Sequence, residues 1–338
     1  PPGANSPTHH GRSAGTPSRS AAVSTAAPTG PEDSAAQATA GFRYPEWDAR
    51  RGAYRPDWCT VHETPPRAKR PATPVTVHDR ALRGPLARLA PALEYRSRQA
   101  HGDDVDIDAA VRARADALAG RPPEELVYLA AQRRRRDLSV LILLDVSGSS
   151  GEPGTGGPTV HESQRAAAGA LLGTLHDLGD RVALYAYNSH GRAAVHVMPV
   201  KHFDERLSAS VRYRLGGLTP GAYSRLGAAI RHGGAVLAAR GGTTRRLLVV
   251  LSDGLAYDHG YERDHGAADV RRALAEARAA GTACVHLSVG AGTGADDLRR
   301  AFGGTVHASV SVSRPEQLAR VIGPLFRAAL RAAEAPRP

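Results

Sequence analysis

Hydrophobic and polar positions alternate in regular blocks after residue 136, and the period switches from block to block. Leu138–Leu144 is apolar apart from Ser139, which predicts a strand buried on both faces. Within Val160–Leu178 the apolar positions Ala167, Ala170, Leu171, Leu175 and Leu178 return at helical spacing. The same reading places strands at Arg181–Tyr187, Ala194–Met198, Arg246–Leu251, Ala283–Val289 and Thr305–Val310. Further helices fall at Phe203–Leu215, Arg225–Arg240, Ala267–Ala280, Asp296–Phe302 and Pro315–Ala333. Strands alternating with helices predict an α/β fold, doubly wound around a mostly parallel central sheet. Ligands of such sheets bind beyond the carboxyl ends of the strands.

The N-terminal part reads differently. Residues 1–40 are Pro, Gly, Ser, Thr and Ala with few large apolar side chains. They bury too little surface to offset their ordering entropy, which predicts a disordered tail. Residues 41–135 read as a helical and irregular segment with a linker, and residues 136–335 as the α/β domain. Both tryptophans, Trp47 and Trp58, lie between Phe42 and Glu63, so an ordered element is expected there. A Pro- and Arg-rich linker, Pro65 to Pro74, follows. Leu82, Leu86, Leu89 and Leu93 predict a helix within residues 79–100, weakened by Pro85 and Pro91. The acidic stretch Gly102–Asp108 lacks the closing Glu of a calcium loop and predicts a cap on a helix over 108–119.

Composition narrows the function classes. The formal net charge is +11, mostly from Arg spread along the helical stretches. A basic balance suits acidic partners. With four Phe and two Trp, though, the stacking platforms used for single-stranded nucleic acid are scarce, and nucleic acid is not the expected partner. Cys59 and Cys284 stand far apart and make neither a disulfide framework nor a thiolate zinc site. No apolar stretch approaches the ~18 residues of a transmembrane helix. No secretory signal is visible, so a reduced, cytoplasmic setting is expected. The chain opens Pro1-Pro2 without an initiator Met, as a piece of a longer protein would.

The candidate chemistry lies at the end of the first buried strand. Asp145-Val146-Ser147-Gly148-Ser149 sets one carboxylate and two hydroxyls around one point. Two more loops should reach the same sheet edge. Pro220–Gly227 brings Ser224, and Leu251-Ser252-Asp253-Gly254 brings Asp253. Two carboxylates and three hydroxyls form an all-oxygen set suited to a hard cation: Mg²⁺, with Mn²⁺ or Ca²⁺ as alternatives. Because the hydroxyls are neutral, such an ion would keep much of its charge for an acidic side chain of another protein. Helix capping explains any one of these loops but not all three together.

These loops resemble the metal-ion-dependent adhesion site of von Willebrand factor A (VWA) domains, whose fold is Rossmann-like. The resemblance implies that Asp145, Ser147, Ser149, Ser224 and Asp253 are metal ligands, with Ser224 where the family usually has Thr. A wider likeness rests on 44–48, 54–59, 102–108, 135–141, Phe203-Asp204-Glu205 and the loop from Leu251 to Asp258. These segments resemble the NorD group, the nitric oxide reductase activation proteins. That resemblance implies a non-catalytic adaptor or co-chaperone that works beside a MoxR-type AAA+ ATPase, NorQ-like, in maturing a metalloenzyme. The implied partners are that ATPase and an acidic residue of a client, nitric oxide reductase being the one the group's name points to. Gly148, where a polar residue is expected, and the glycine-rich Gly151–Gly157 depart from the pattern.

Other chemistries fit less well. Haloacid-dehalogenase phosphatases place a second Asp two residues after the first, where this chain has Ser147. Gly151 and Gly156 have the spacing of a P-loop, but Gly157 stands in place of its Lys, so ATP hydrolysis is expected in a partner chain. Gly290-x-Gly292-x-x-Ala295 reads as a tight strand-to-helix turn rather than a dinucleotide site. His190, His196, His202 and His265 lack metal spacing and read as surface or structural residues. Arg133–Arg136 reads as a solvated run. The competing function is a basic module that binds nucleic acid or another ligand without an ATPase partner.

Deleting residues 1–40 is expected to leave the melting temperature unchanged in a thermal scan. A drop of several degrees would show that the segment docks on the fold.

Overall fold

The computed structural model describes residues 41–66, 75–77, 79–89, 94–132, 136–152, 158–253, 256–288, 295–302 and 315–334. The tail 1–40, most of the Pro65–Pro74 linker, residues 153–157 of the glycine-rich stretch, the strand expected at Thr305–Val310 and most of the Gly290–Ala295 turn lie outside them.

A seven-stranded sheet has the order β1-β2-β8-β7-β6-β9-β10. Its strands are β1 (Phe42–Asp48), β2 (Ala53–Glu63), β6 (Leu138–Asp145), β7 (Arg181–Ser189), β8 (Val195–Lys201), β9 (Arg245–Leu251) and β10 (Thr282–Leu287). β6 pairs in parallel with β7 on one side and β9 on the other. β10 continues parallel to β9, whereas β8 turns back antiparallel to β7. The sheet is therefore mostly parallel, as the alternation predicts.

Side chains sort by the two-residue strand period. Val140, Ile142 and Leu144 of β6 enter one core, with Val182, Leu184 and Ala186 of β7 and Leu247, Val249 and Leu251 of β9. Helices α1 (Arg80–Ala87), α3 (Val160–Asp177), α4 (Ala209–Gly216) and α8 (Pro315–Glu334) contribute to that core. Leu141 and Leu143, with Tyr185 and Tyr187, enter the opposite core. There they meet α5 (Leu226–Arg240), α6 (Arg263–Ala279) and α7 (Ala295–Phe302). β6 is buried along all eight residues because both of its faces are covered. The start of α3 is set by Thr159, whose hydroxyl accepts from the Glu162 amide while the Glu162 carboxylate accepts from the Thr159 amide.

Several expectations are corrected. Residues 41–63 are not part of a separate segment before the α/β domain. They form the hairpin β1–β2, and β2 adds in parallel to β8 through Val61, His62 and Glu63. The helix expected over 79–100 stops at Ala87, and Glu94–Gln99 is a strand, β3. Pro91 disfavours helix in the residue before it. The helix expected at Phe203–Leu215 begins only at Ala209. Phe203 is drawn into the second core instead, and Glu205 accepts from the His202 amide. Arg136 is not solvated: its side chain pairs with Asp180 at 2.7 Å and donates to the Leu86 carbonyl at 3.0 Å.

Between α1 and β6 the chain makes a small second sheet, β3-β5-β4, from β3, β4 (Asp104–Val105) and β5 (Tyr128–Gln132). Its helix α2 (Ile107–Leu118) is capped by Asp106, whose side chain accepts from the Ala109 amide. That is the cap expected from the acidic stretch. Ala109 is the buried residue of α2, while Ile107, Val111 and Leu118 face outward.

The strap Val75–Val77 crosses α3 at Gly169 and Gly173. A Cβ on Gly173 would sit 1.5 Å from the Val77 carbonyl oxygen. In an exposed helix, Gly to Ala stabilises by about 1 kcal/mol. Here the clash reverses the sign, and Gly173→Ala is expected to destabilise by roughly 1–3 kcal/mol. Urea denaturation reads the difference; a variant more stable than wild type would show that the strap is not seated on α3.

Candidate metal centre

The chain leaves β6 toward β7 on one side and leaves β9 toward β10 on the other, so the crevice beyond β6 and β9 is a topological switch point. Asp145 is the last residue of β6, and Asp253 follows the end of β9 by two residues. Both are buried, as are Ser147 and Ser224. Ser149, on the 3₁₀ turn Gly148–Gly151, is exposed at the mouth.

The hydroxyls converge on Asp145. Its Oδ1 accepts from the Ser147 amide at 2.8 Å. Its Oδ2 accepts from the Ser224 hydroxyl at 2.9 Å and the Tyr187 hydroxyl at 2.8 Å. The Ser147 and Ser149 hydroxyls lie 3.2 Å apart, and those of Tyr187 and Ser224 lie 3.3 Å apart. Asp253 is close enough for its charge to act on Asp145. The structure thus brings all five sequence-predicted residues to one edge. Tyr187 was missed: it is the register partner of Asp145 across β6 and β7, a relation no local motif carries.

Backbone bonds hold the three loops together. Gly148 donates to the Ala222 carbonyl at 2.8 Å, and Gly221 donates to the Val146 carbonyl at 2.9 Å. Ser189 and Tyr223 exchange both of their backbone bonds, and the Ser224 amide donates to the Tyr257 carbonyl at 2.8 Å. A Cβ at Gly148 would stand 3.2 Å from the Ala222 oxygen, which accounts for a small residue at that departure from the expected pattern. Ala222 itself has φ 68°, a left-handed conformation uncommon for a residue with a side chain.

Burial first, and the Asp253 charge second, push the Asp145 carboxyl up to about 6, against the lowering effect of the Ser147 and Tyr187 hydrogen bonds. The donors to Asp145 given above are all neutral. Burial makes the Asp145 charge costly, and a divalent cation held by this oxygen set would lower that cost. Among the described residues no group of three or more His, Cys, Asp or Glu side chains could hold a metal. The donors here are instead two carboxylates and three hydroxyls, an oxygen set that fits Mg²⁺ and excludes a preference for soft metals.

The family description of the von Willebrand factor type A domain matches residues 140–255, the span from β6 to the loop after β9. The chain carries a von Willebrand factor type A domain. The likeness to curated proteins runs further than the VWA core. Protein NorD of Brucella suis is 36% identical over 257 residues, 74% of this chain and 40% of that protein. An uncharacterised protein of Pseudomonas aeruginosa is 33% identical over 300 residues, 85% of this chain and 47% of that protein. The chain spans less than half the length of these relatives. Among solved structures, the vWF domain of the pilus tip protein Mfa5 from Porphyromonas gingivalis aligns with a TM-score of 0.43 at 11% identity, over 61% of this chain and 99% of that one.

Asp145→Asn keeps the side chain's shape and removes one of the two charges. Since a raised carboxyl pKa means that the ionised form weakens the fold at neutral pH, the variant is expected to stabilise the metal-free VWA domain by roughly 1–3 kcal/mol. It is also expected to abolish the rise in melting temperature that Mg²⁺ gives wild type. Thermal scans in EDTA and in MgCl₂ read both effects. A variant no more stable than wild type in EDTA, and just as responsive to Mg²⁺, would overturn the charge argument.

Proposed function

We propose that this chain is a metal-dependent protein-binding adaptor. It would work with a MoxR-type AAA+ ATPase in the maturation or activation of a metalloenzyme, and nitric oxide reductase is the client suggested by the likeness to NorD. The observation that carries the reading is that Asp145 and Asp253 are both buried at the ends of neighbouring strands at the switch point, with the Ser147 amide and the Ser224 hydroxyl on Asp145 and the Ser149 hydroxyl beside that of Ser147. Asp145, Ser147, Ser149, Ser224 and Asp253 would hold the ion. When bound, Mg²⁺ there supplies positive charge open to a client carboxylate as a further oxygen donor. Ser149, at the exposed mouth, lies where that carboxylate would enter.

The hydroxyls of Ser224 and Tyr187 both donate to the buried Asp145 carboxylate, which suits holding an ion in place. Among the described residues no helix is long and apolar enough to cross a membrane. A cytoplasmic setting belongs to the same proposal. The competing reading, a nucleic-acid module, draws on the net charge of +11. Some of the arginines are held inside the fold instead: Arg225 and Arg231 are buried in ion pairs, and Arg136 pairs with Asp180.

The test is co-purification with the MoxR-type ATPase and maturation of the client enzyme, for wild type and Asp253→Ala. The variant is expected to fold, because Asp253 lies on a loop beyond the strand, and to lose client activation. Wild-type association should fall with EDTA; association that falls steeply with salt but ignores EDTA favours polyanion binding. A folded, metal-free Asp253→Ala that still gives full client activity would demote the site to a structural one.

A further inference from the structure

One buried cation stands directly behind the candidate metal centre. Arg225 follows Ser224 in sequence and precedes α5, and its side chain is 2% exposed. Its guanidinium pairs with Glu46 of β1 through Nη1 and with Asp258 through Nε at 3.1 Å. Nη2 donates to the His259 carbonyl at 2.7 Å, and the group lies 4.6 Å from the Tyr261 ring centroid. Glu46 is itself 1% exposed. Its other oxygen meets His265 Nε2 at 3.0 Å, and the Cys59 thiol of β2 donates at 3.2 Å to the oxygen that pairs with Arg225. Asp258 accepts from the Gly191 amide and the His259 amide.

Three pieces of chain are thereby joined at one guanidinium. Arg225 is rigidly continuous with the Ser224 loop. Asp258 and His259 belong to the loop that begins at Asp253. Glu46 belongs to the hairpin, more than a hundred residues earlier and outside the 140–255 span of the matched family. The hairpin also grips α5 and α6 directly. Tyr44 Oη lies 3.0 Å from His232 Nδ1, and the Trp47 amide donates to Asp269 at 2.8 Å.

A fully buried Arg is costly to desolvate and weak evidence of added stability. Its position is informative instead, because partners that orient metal-binding loops set how well the ligands are arranged. We infer that the hairpin β1–β2 is a working part of the metal centre: Glu46, acting through Arg225, positions the Ser224 and Asp253 loops and sets the affinity for the divalent cation. The inference rests on the metal site proposed above. Glu46 and Arg225 are positioning residues and touch no ion. Coupling of this kind is reciprocal, so metal binding must in turn tighten the hairpin.

The experiment uses the full chain and Mg²⁺ alone. Calorimetric titration of wild type, Glu46→Gln, Arg225→Met and the double variant gives the affinities. The double variant removes both charges of the pair while Asp258 keeps its bonds from the Gly191 and His259 amides, and it carries the test if a single variant does not fold. Glu46→Gln is expected to bind Mg²⁺ about 10–100-fold more weakly than wild type. Leu86→Ala, in the other core beside Arg136, is the control for general destabilisation and should bind Mg²⁺ as wild type does. Hydrogen exchange should slow in residues 42–63 of wild type on adding Mg²⁺, and should not slow in the double variant. Wild type that binds Mg²⁺ while Glu46→Gln and the double variant bind within twofold of it overturns the coupling and leaves the metal site standing. Wild type that does not bind Mg²⁺ overturns the site and the coupling together.

Discussion

A single strand covered on both faces governs this molecule. β6 is buried from Leu138 to Asp145, and it ends on a carboxylate. The apolar residues before Asp145 are held by two cores and two parallel neighbours, so the carboxylate has no freedom to swing into water. Its ionised form is then costly. The surroundings answer with neutral donors: the Ser147 amide and the hydroxyls of Tyr187 and Ser224. Asp253, delivered by the adjacent strand β9, makes the local charge worse rather than better. The proposed cation would account for two carboxylates being kept at this edge.

The loops around that edge are held from behind as well as by each other. Backbone bonds tie Gly148 to Ala222 and Ser224 to Tyr257, and Arg225 then fastens two of the three loops to Glu46. The hairpin therefore does more than lengthen the sheet. It replaces what would be an open edge beside β8 and carries the acid that neutralises the buried guanidinium. A VWA core cut at the limits of the family match would leave Arg225 without Glu46. The likeness to NorD runs over 257 residues, more than the span of the family match.

Charge is distributed with similar economy. The formal net charge of +11 suggests a polyanion-binding surface when read from composition. In the fold, guanidiniums serve as internal fasteners. Arg136 joins the start of β6 to Asp180 and to the end of α1, and Arg231 links α5 to Asp269 and Glu276 of α6. Others lie over aromatic rings, as Arg55 and Arg192 do over Trp58.

Local pattern carried a large part of this protein. Periodicity alone placed β6, β7, β9, α3 and α5 within a few residues of where they lie, because a buried strand and an amphipathic helix each leave a repeat that needs no knowledge of the partner. The run Asp145-x-Ser147-x-Ser149 was legible for the same reason, since its donors are neighbours on one turn. Ser224 and Asp253 followed once the alternation of strands and helices fixed which loops share an edge. Tertiary structure alone decided the rest. That β2 pairs with β8, that β8 runs antiparallel to β7, and that Tyr187 stands opposite Asp145 depend on register between distant segments. The late start of α4 reflects Phe203 being drawn into a core that no window of sequence contains. Glu46 and Arg225 lie 179 residues apart, and neither has a local signature. Each reads as an ordinary charged residue until folding removes both from water and sets them against one another, with Asp258 also on Arg225 and His265 also on Glu46.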